Sequence, residues 1–528
     1  MRSDDGESTS RGAGRTMDSN VAVAQPTSKA TSNTQSGNPG QWLAVSLSVA
    51  ICLAYAGLVP LGQWQADEYD RFARLNHPLW HIFATRMLWT LRPWEALFIG
   101  YGVLVNQFHR PFTGWFLGLL WAGFLVCASA TGLVERRGRR IAPLLSGSVL
   151  AAAFLSSGPL FQLFYWPAAA AVYLPILSAT LLLFVQTLYA KQWTRQGRLV
   201  CSACLIATAF GGEVGATFVA CFAVLQALLA IWSRLRPGEV GEDAHVLYWL
   251  LPGLIAAGVM FVASMHRLTA SEGAFTVASP QLHHPAASAA AAVRSLALEL
   301  VGLDPNTPNA WVAVPRVLSK LLIAAGMALV WARSLPDSEP KRAVTRRQII
   351  VIGAAFLAAS AAVLFGSYLH FGSSAGERVE TLRRAWILMA YVAAAVLIAQ
   401  SWQARRIALV RSFSFVGPLL LIAGVSIPWH ISPLVRQYAN YQNMACTTAM
   451  NFKSGLQQDT DAMTFVLPPT QGVITPLELE RGVYTGTAQG SGFNDAYAQY
   501  MLEYFGKQSL AVVPNHACRN SATAWPVP

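Results

Sequence analysis

Apolar residues in this chain come in blocks of about 20, divided by short polar turns. That is the length an α-helix needs to cross the ~30 Å hydrocarbon core of a bilayer. The blocks lie near 42–62, 94–108, 113–133, 141–157 and 167–190, then 199–232, then 246–264, 316–333, 348–368, 384–401 and 408–427. The stretch 199–232 is too long for one straight crossing. Gly211 and Gly212 stand near its middle and predict a break into two helices, because paired glycines weaken a helix interior. The pattern predicts an all-α polytopic membrane protein with about 11–13 transmembrane helices.

The two ends read differently. Residues 1–40 are rich in Ser, Thr, Gly and Asn and predict a disordered cytoplasmic tail. The first apolar run opens at Trp42, too late and too long for a cleavable signal peptide. Residues 41–427 form the predicted transmembrane domain, and 63–93 its first external loop. Residues 428–528 hold β-branched pieces, Thr464 to Leu467 and Leu510 to Val513, around a helix-like run from Asn494 to Phe505. They predict a small mixed α/β appendage outside the cytoplasm.

Composition supports the membrane reading. Of 528 residues, 54% are hydrophobic and only 12% are charged. About 25% charged is usual for a soluble domain. The net charge of +12 sits in short loops: Arg136 to Arg140, Lys191 to Arg198, Arg234/Arg236, Lys341 to Arg347 and Arg405 to Arg411. Clusters of this kind mark cytoplasmic loops. No aromatic-basic stripe accompanies them, so no nucleic-acid partner is implied. One count conflicts. Two blocks separate loop 63–93 from Arg136, which places both on one face. Either one block is re-entrant or the aromatic stretch 79–92 inserts too.

Of seven cysteines, Cys52, Cys127, Cys201, Cys204 and Cys221 lie in apolar segments and read as small core residues. Cys446 and Cys518 lie in the C-terminal region, where an oxidising compartment allows a disulfide. His266, His283 and His284 share one loop but lack metal-ligand spacing, so no metal site is assigned. Walker, G-x-S-x-G and dinucleotide-binding signatures are absent.

Four features carry candidate chemistry. Asp67, Glu68 and Asp70 crowd the first external loop. They can act as a general base, hold a divalent cation, or pair as Asp67–Arg71 and Asp70–Arg74 along a helix. Glu213, just after the glycine pair, is an intramembrane carboxylate at a helix start. Phe164-Tyr165-Trp166-Pro167, with Tyr173 beyond, is either an interfacial anchor or a sugar-stacking surface. The external Gly376-Glu377-Arg378, followed by Arg383 and Arg384, suits phosphate recognition or pairing with Glu377 and Glu380.

In that order, the D-E-Y-D loop, the Y-W-P-x5-Y motif, the intramembrane Glu, the late G-x-R and the run from Asn494 to Leu510 resemble a family. They are similar to bacterial polytopic proteins related to membrane glycosyltransferases of the GT-C fold, including the DUF6056-like group. The resemblance implies transfer of a sugar from a polyprenyl-phosphate carrier to a cell-envelope glycan acceptor, at the bacterial inner (plasma) membrane. Asp67 or Glu68 would be the catalytic base. Asp70, Tyr165, Trp166, Tyr173, Glu213 and Arg378 would bind substrate, with Arg378 on the donor phosphate. This chain has D-E where many relatives have D-D, so the choice of base stays open. The rival expectations are a transporter or flippase built on Glu213, and a non-catalytic envelope assembly protein that binds through 428–528.

Overall fold

The computed structural model describes residues 39–62, 64, 66–73, 92–134, 141–156, 160–189, 195–234, 246–269, 284–303, 310–334, 339–374, 376–412, 415–427, 431–457, 460–466, 483–485 and 493–513. The expected tail 1–40 lies outside them except for Pro39 and Gly40, which open the first helix. The elements in order are α1 (Pro39–Ala56), α2 (Ala66–Ala73), α3 (Glu95–Phe108), α4 (Thr113–Ala130), α5 (Ile141–Ser156), α6 (Pro167–Tyr189), α7 (Arg195–Ala209) and α8 (Glu213–Arg234). Then follow α9 (Val246–Thr269), α10 (Pro285–Leu300), α11 (Ala310–Ser334), α12 (Glu339–Phe371), α13 (Glu377–Ser412), α14 (Val416–Ser426) and α15 (Ile431–Gly455). The chain closes with β1 (Ala462–Val466), β2 (Val483–Thr485), α16 (Phe493–Phe505) and β3 (Ser509–Val513).

Among the described residues, seven helical segments are long and apolar enough to cross a membrane: Pro39–Leu61, Thr113–Leu133, Pro167–Tyr189, Glu213–Trp232, Ala313–Ser334, Arg346–Phe371 and Arg378–Ser401. Ile141–Ser156, Trp249–Ser264 and Val416–Ser426 are shorter apolar helices. Outer helices turn large apolar side chains outward, among them Leu53, Trp115, Leu119, Val126, Ile231 and Val262. In water that surface would be a liability, whereas against lipid tails it costs nothing. The opposite holds for α6, whose most apolar window is 89% buried, so it forms the centre of the bundle.

Contacts give each helix a direction. Pro60, just past α1, meets Gly114 at the start of α4, so α4 returns from the end that α1 reaches. Gly147 on α5 packs on Ala128 and Thr131 at the far end of α4. Tyr189, closing α6, bonds Ser146 near the start of α5 at 2.7 Å. The expected glycine break is present. A turn through Phe210 and Gly211 ends α7, Gly212 takes φ +114°, and α8 opens at Glu213. Further on, Gln226 of α8 meets Gln348 of α12, and Ser319 of α11 bonds the Gly424 carbonyl of α14.

The block 94–108 needs correction, because it does not cross. Both ends of α3 lie at the end of the bundle that α1 reaches. Glu95 pairs with Arg71 on α2 at 2.6 Å, and Asn106 donates to the Phe72 carbonyl at 2.9 Å. Between them the Tyr101 hydroxyl accepts from Trp64 Nε1 at 2.7 Å. Hydropathy had no means of separating a short helix lying across the bundle end from one that spans it.

The C-terminal region is the expected small α/β unit. Its sheet order is β1-β3-β2, with β1 parallel and β2 antiparallel to β3. The sheet packs with α15 and α16. Asn451 of α15 locks β1 by accepting from Val466 N–H and donating to its carbonyl. The unit sits directly on α2. Trp64 lies edge-on to Phe452 and Tyr504, and Tyr69 to Tyr504. Cys446 is disulfide-bonded, while the expected partner Cys518 lies outside the described residues. Cys201 and Cys204 are free and buried, as a structural pair of small apolar residues would be.

Candidate functional site

The acidic loop folds into α2, whose register points Glu68 inward. Glu68 is fully buried. Its Oε2 accepts from Trp166 Nε1 at 2.9 Å, and its Oε1 from Ala168 N–H at 3.0 Å. Ala168 lies in the first turn of α6, where backbone N–H groups have no partner within the helix. Pro167 opens that turn without an N–H of its own. Glu68 therefore caps α6 from 100 positions away, and the positive helix terminus favours a carboxylate there. The side chains of Asp67, Asp70 and Glu377 lie outside the described residues, and with them the expected i,i+4 pairs.

Trp166, once held, presents a ring face to Arg378. The guanidinium carbon lies 5.1 Å from the Trp166 ring centre and 5.8 Å from that of Tyr173, about two helical turns further along. Arg378 thus stacks on aromatic faces at the start of α13. Further along the same helix, Arg383 bonds Glu380 at 2.7 Å.

Glu213 opens α8 and pairs with Arg92 at 2.7 Å, while Ser264 of α9 donates to its other oxygen at 3.0 Å. Arg92 was not among the expected site residues. Its only signal in sequence is a lone cation in the segment Arg92-Pro93-Trp94 ahead of α3, which looks like any loop residue. The structure fixes that segment by Trp94 Nε1 donating to the Ala207 carbonyl at 2.7 Å. Gly212 makes room for it, since a Cβ there would stand 2.9 Å from Arg92 Nε. Burial alone would lower the Arg92 pKa. The negative charge of Glu213, with Tyr173 and Glu95 adding to it, outweighs burial and raises it above its ordinary value.

Five segments therefore converge where α6 begins: α2 through Glu68, the Arg92 segment, α6 through Trp166 and Tyr173, α8 through Glu213, and α13 through Arg378. Tyr165 belongs to packing instead. It is fully buried, donates to the Tyr55 carbonyl at 2.8 Å and lies against Trp121 and Tyr441. No protein family, curated protein or solved structure matches this chain. The converging residues offer a fixed cation over two aromatic faces, a second cation matched by a carboxylate, and an acidic helix alongside. Glu68 does not suit a divalent cation, since both its oxygens meet N–H donors. Among the described residues, no three His, Cys, Asp or Glu side chains converge as metal ligands.

Proposed function

We propose that this chain is a GT-C-like membrane glycosyltransferase that moves a sugar from a polyprenyl-phosphate carrier to a cell-envelope glycan acceptor. The observation that carries this reading is Arg378 lying over Trp166 and Tyr173 beside the acidic helix. Aromatic faces stack on sugar rings, and a guanidinium pairs with phosphate oxygens in fork geometry. A flippase reading asks for an ion-coupling carboxylate. Glu213 is instead matched by Arg92 and Ser264, which favours a structural role for it.

In the transfer, the acceptor hydroxyl oxygen bonds to the anomeric carbon as the carbon–oxygen bond to phosphate breaks. The hydroxyl proton passes to a carboxylate of α2, and the electron pair leaves on the phosphate. Asp67 is the base in this reading, because Glu68 is committed to Trp166 and Ala168. Glu68 positions the site by fixing Trp166 and the first turn of α6. Arg378 stabilises the charge that builds on the departing phosphate, where a preformed cation contributes most in a water-poor site.

The topology suits such a site. Counting α1, α4 to α9 and α11 to α14 as crossings gives eleven. With α3 lying across one end, all five basic clusters then share the cytoplasmic face. The acidic helix, Arg378 and the C-terminal unit share the other. Binding of a polyprenyl-phosphate sugar to the purified protein in lipid nanodiscs, read by native mass spectrometry, tests the reading. Arg378→Ala is expected to weaken binding at least about tenfold, as loss of a charge-assisted contact of ~1.5–3 kcal/mol requires. Equal binding by both proteins would overturn it.

A further inference from the structure

A second charged cluster lies between α10 and α13. Arg383 of α13 is fully buried and bridges two carboxylates, Glu380 at 2.7 Å and Glu299 of α10 at 2.5 Å. The Glu299 side chain is 4% exposed, and among the described residues its Oε1 meets no hydrogen-bond donor. Arg383 Nε, also buried, meets no acceptor among them. The carboxyl groups of Glu299 and Glu380 meet each other as well. Two carboxylates in contact away from water repel strongly unless a proton lies between them. A proton on one of them supplies the O–H that Glu299 Oε1 otherwise lacks.

The other charged and titratable groups around the pair come from three helices. They are Lys320 and Arg316 on α11, Tyr368 on α12, and Arg384 and Tyr391 on α13. Lys320 Nζ donates to the Glu299 main-chain carbonyl at 3.3 Å. The Tyr391 hydroxyl donates to the Leu300 carbonyl, and Ser295 bonds Tyr368 at 2.7 Å. Every one of these contacts fastens α10. Its buried stripe is Ser288, Ala292, Ser295 and Glu299, while Val293 and Val301 face outward. Polar bonds thus tie this helix to α11, α12 and α13.

We propose that Glu299 and Glu380 form a proton-binding carboxyl pair that latches α10 onto α13. The shared proton lets both carboxyl groups use Arg383. Its loss leaves two negative charges on one guanidinium and loosens α10. Arg378 precedes Glu380 on the first turn of α13, so the latch bears on the turn that carries it. The inference does not depend on glycosyl transfer.

Infrared difference spectroscopy of the purified full chain in nanodiscs reads the proton directly. At neutral pH the wild type is expected to show a protonated-carboxyl C=O band that bleaches as pH rises. Glu299→Gln and Glu380→Gln should each lose it, because the remaining carboxylate keeps Arg383 for itself. Arg378→Lys should keep it. Hydrogen exchange supplies the second readout. Protection of α10, corrected for intrinsic pH dependence, should fall across the same pH range in wild type and stay level in Glu299→Gln. No band in wild type, or a band that survives in the double Gln variant, overturns the proposal. So does α10 protection that ignores the titration. If one single variant misfolds, the other and the wild-type titration still decide.

Discussion

Glu68 fixes Trp166 and the first turn of α6, so in the proposed transfer it positions the site without touching the reacting atoms. Glu68→Ala strands Trp166 Nε1 and the Ala168 N–H, two buried donors at about 1–3 kcal/mol each. The unfolding temperature of the purified protein should fall, and less so for Glu68→Gln, which keeps one acceptor oxygen. Asp67→Asn should abolish transfer. Arg378→Lys separates charge from shape. Lysine keeps the charge but not the planar stack on Trp166, so KM for the lipid-linked donor should rise roughly tenfold while the fold holds. Of these residues, sequence pattern marked Glu68, Trp166, Tyr173, Glu213 and Arg378 as unusual for their surroundings. It had no means of marking who meets whom. Glu68 and Trp166 are 98 positions apart, Arg92 and Glu213 are 121, and Arg383 and Glu299 are 84. Periodicity reports on neighbours within a helix, and each of these pairs joins segments far apart in the chain.

At the scale of elements, local chemistry was well written in the chain. Gly211-Gly212 announced the α7–α8 break, and the structure gives it a second purpose as the space for Arg92. Gly212→Val tests both. A side chain at φ +114° is strained by about 1–3 kcal/mol, and its Cβ would press on Arg92. Thermal unfolding should shift down by several degrees, by more than for the same change at Gly118, where nothing lies within 4 Å. The helix α3 was misjudged because apolar content is shared by helices that span and helices that lie flat. Only the contacts of Glu95, Tyr101 and Asn106 with one bundle end distinguish them. The α/β unit was recognisable from its alternating strands, but its seat on α2 was not. Trp64 sits among Tyr69, Phe72, Tyr101, Phe452 and Tyr504, an aromatic cluster drawn from both ends of the chain.

For the whole molecule, the eleven-crossing arrangement makes a direct topological prediction. A cysteine at Phe108, exposed at the end of α3, should react with a membrane-impermeant maleimide applied outside the cell. One at Leu133, exposed at the far end of α4, should react only after permeabilisation. The reverse pattern would put the acidic helix in the cytoplasm and remove the proposed base from the donor's side. The C-terminal unit covers α2, so deleting it should loosen the acidic helix and impair the site. In an assembly protein the unit would matter and Asp67 would not. Mass spectrometry of envelope glycans and lipid-linked sugars separates these accounts most directly. It should compare cells making the wild type, the Asp67→Asn variant or no protein. Loss of one sugar from the glycan, with its polyprenyl-phosphate carrier accumulating, is predicted for both the variant and the null. Unchanged glycan and carrier pools in both would contradict glycosyl transfer by this chain.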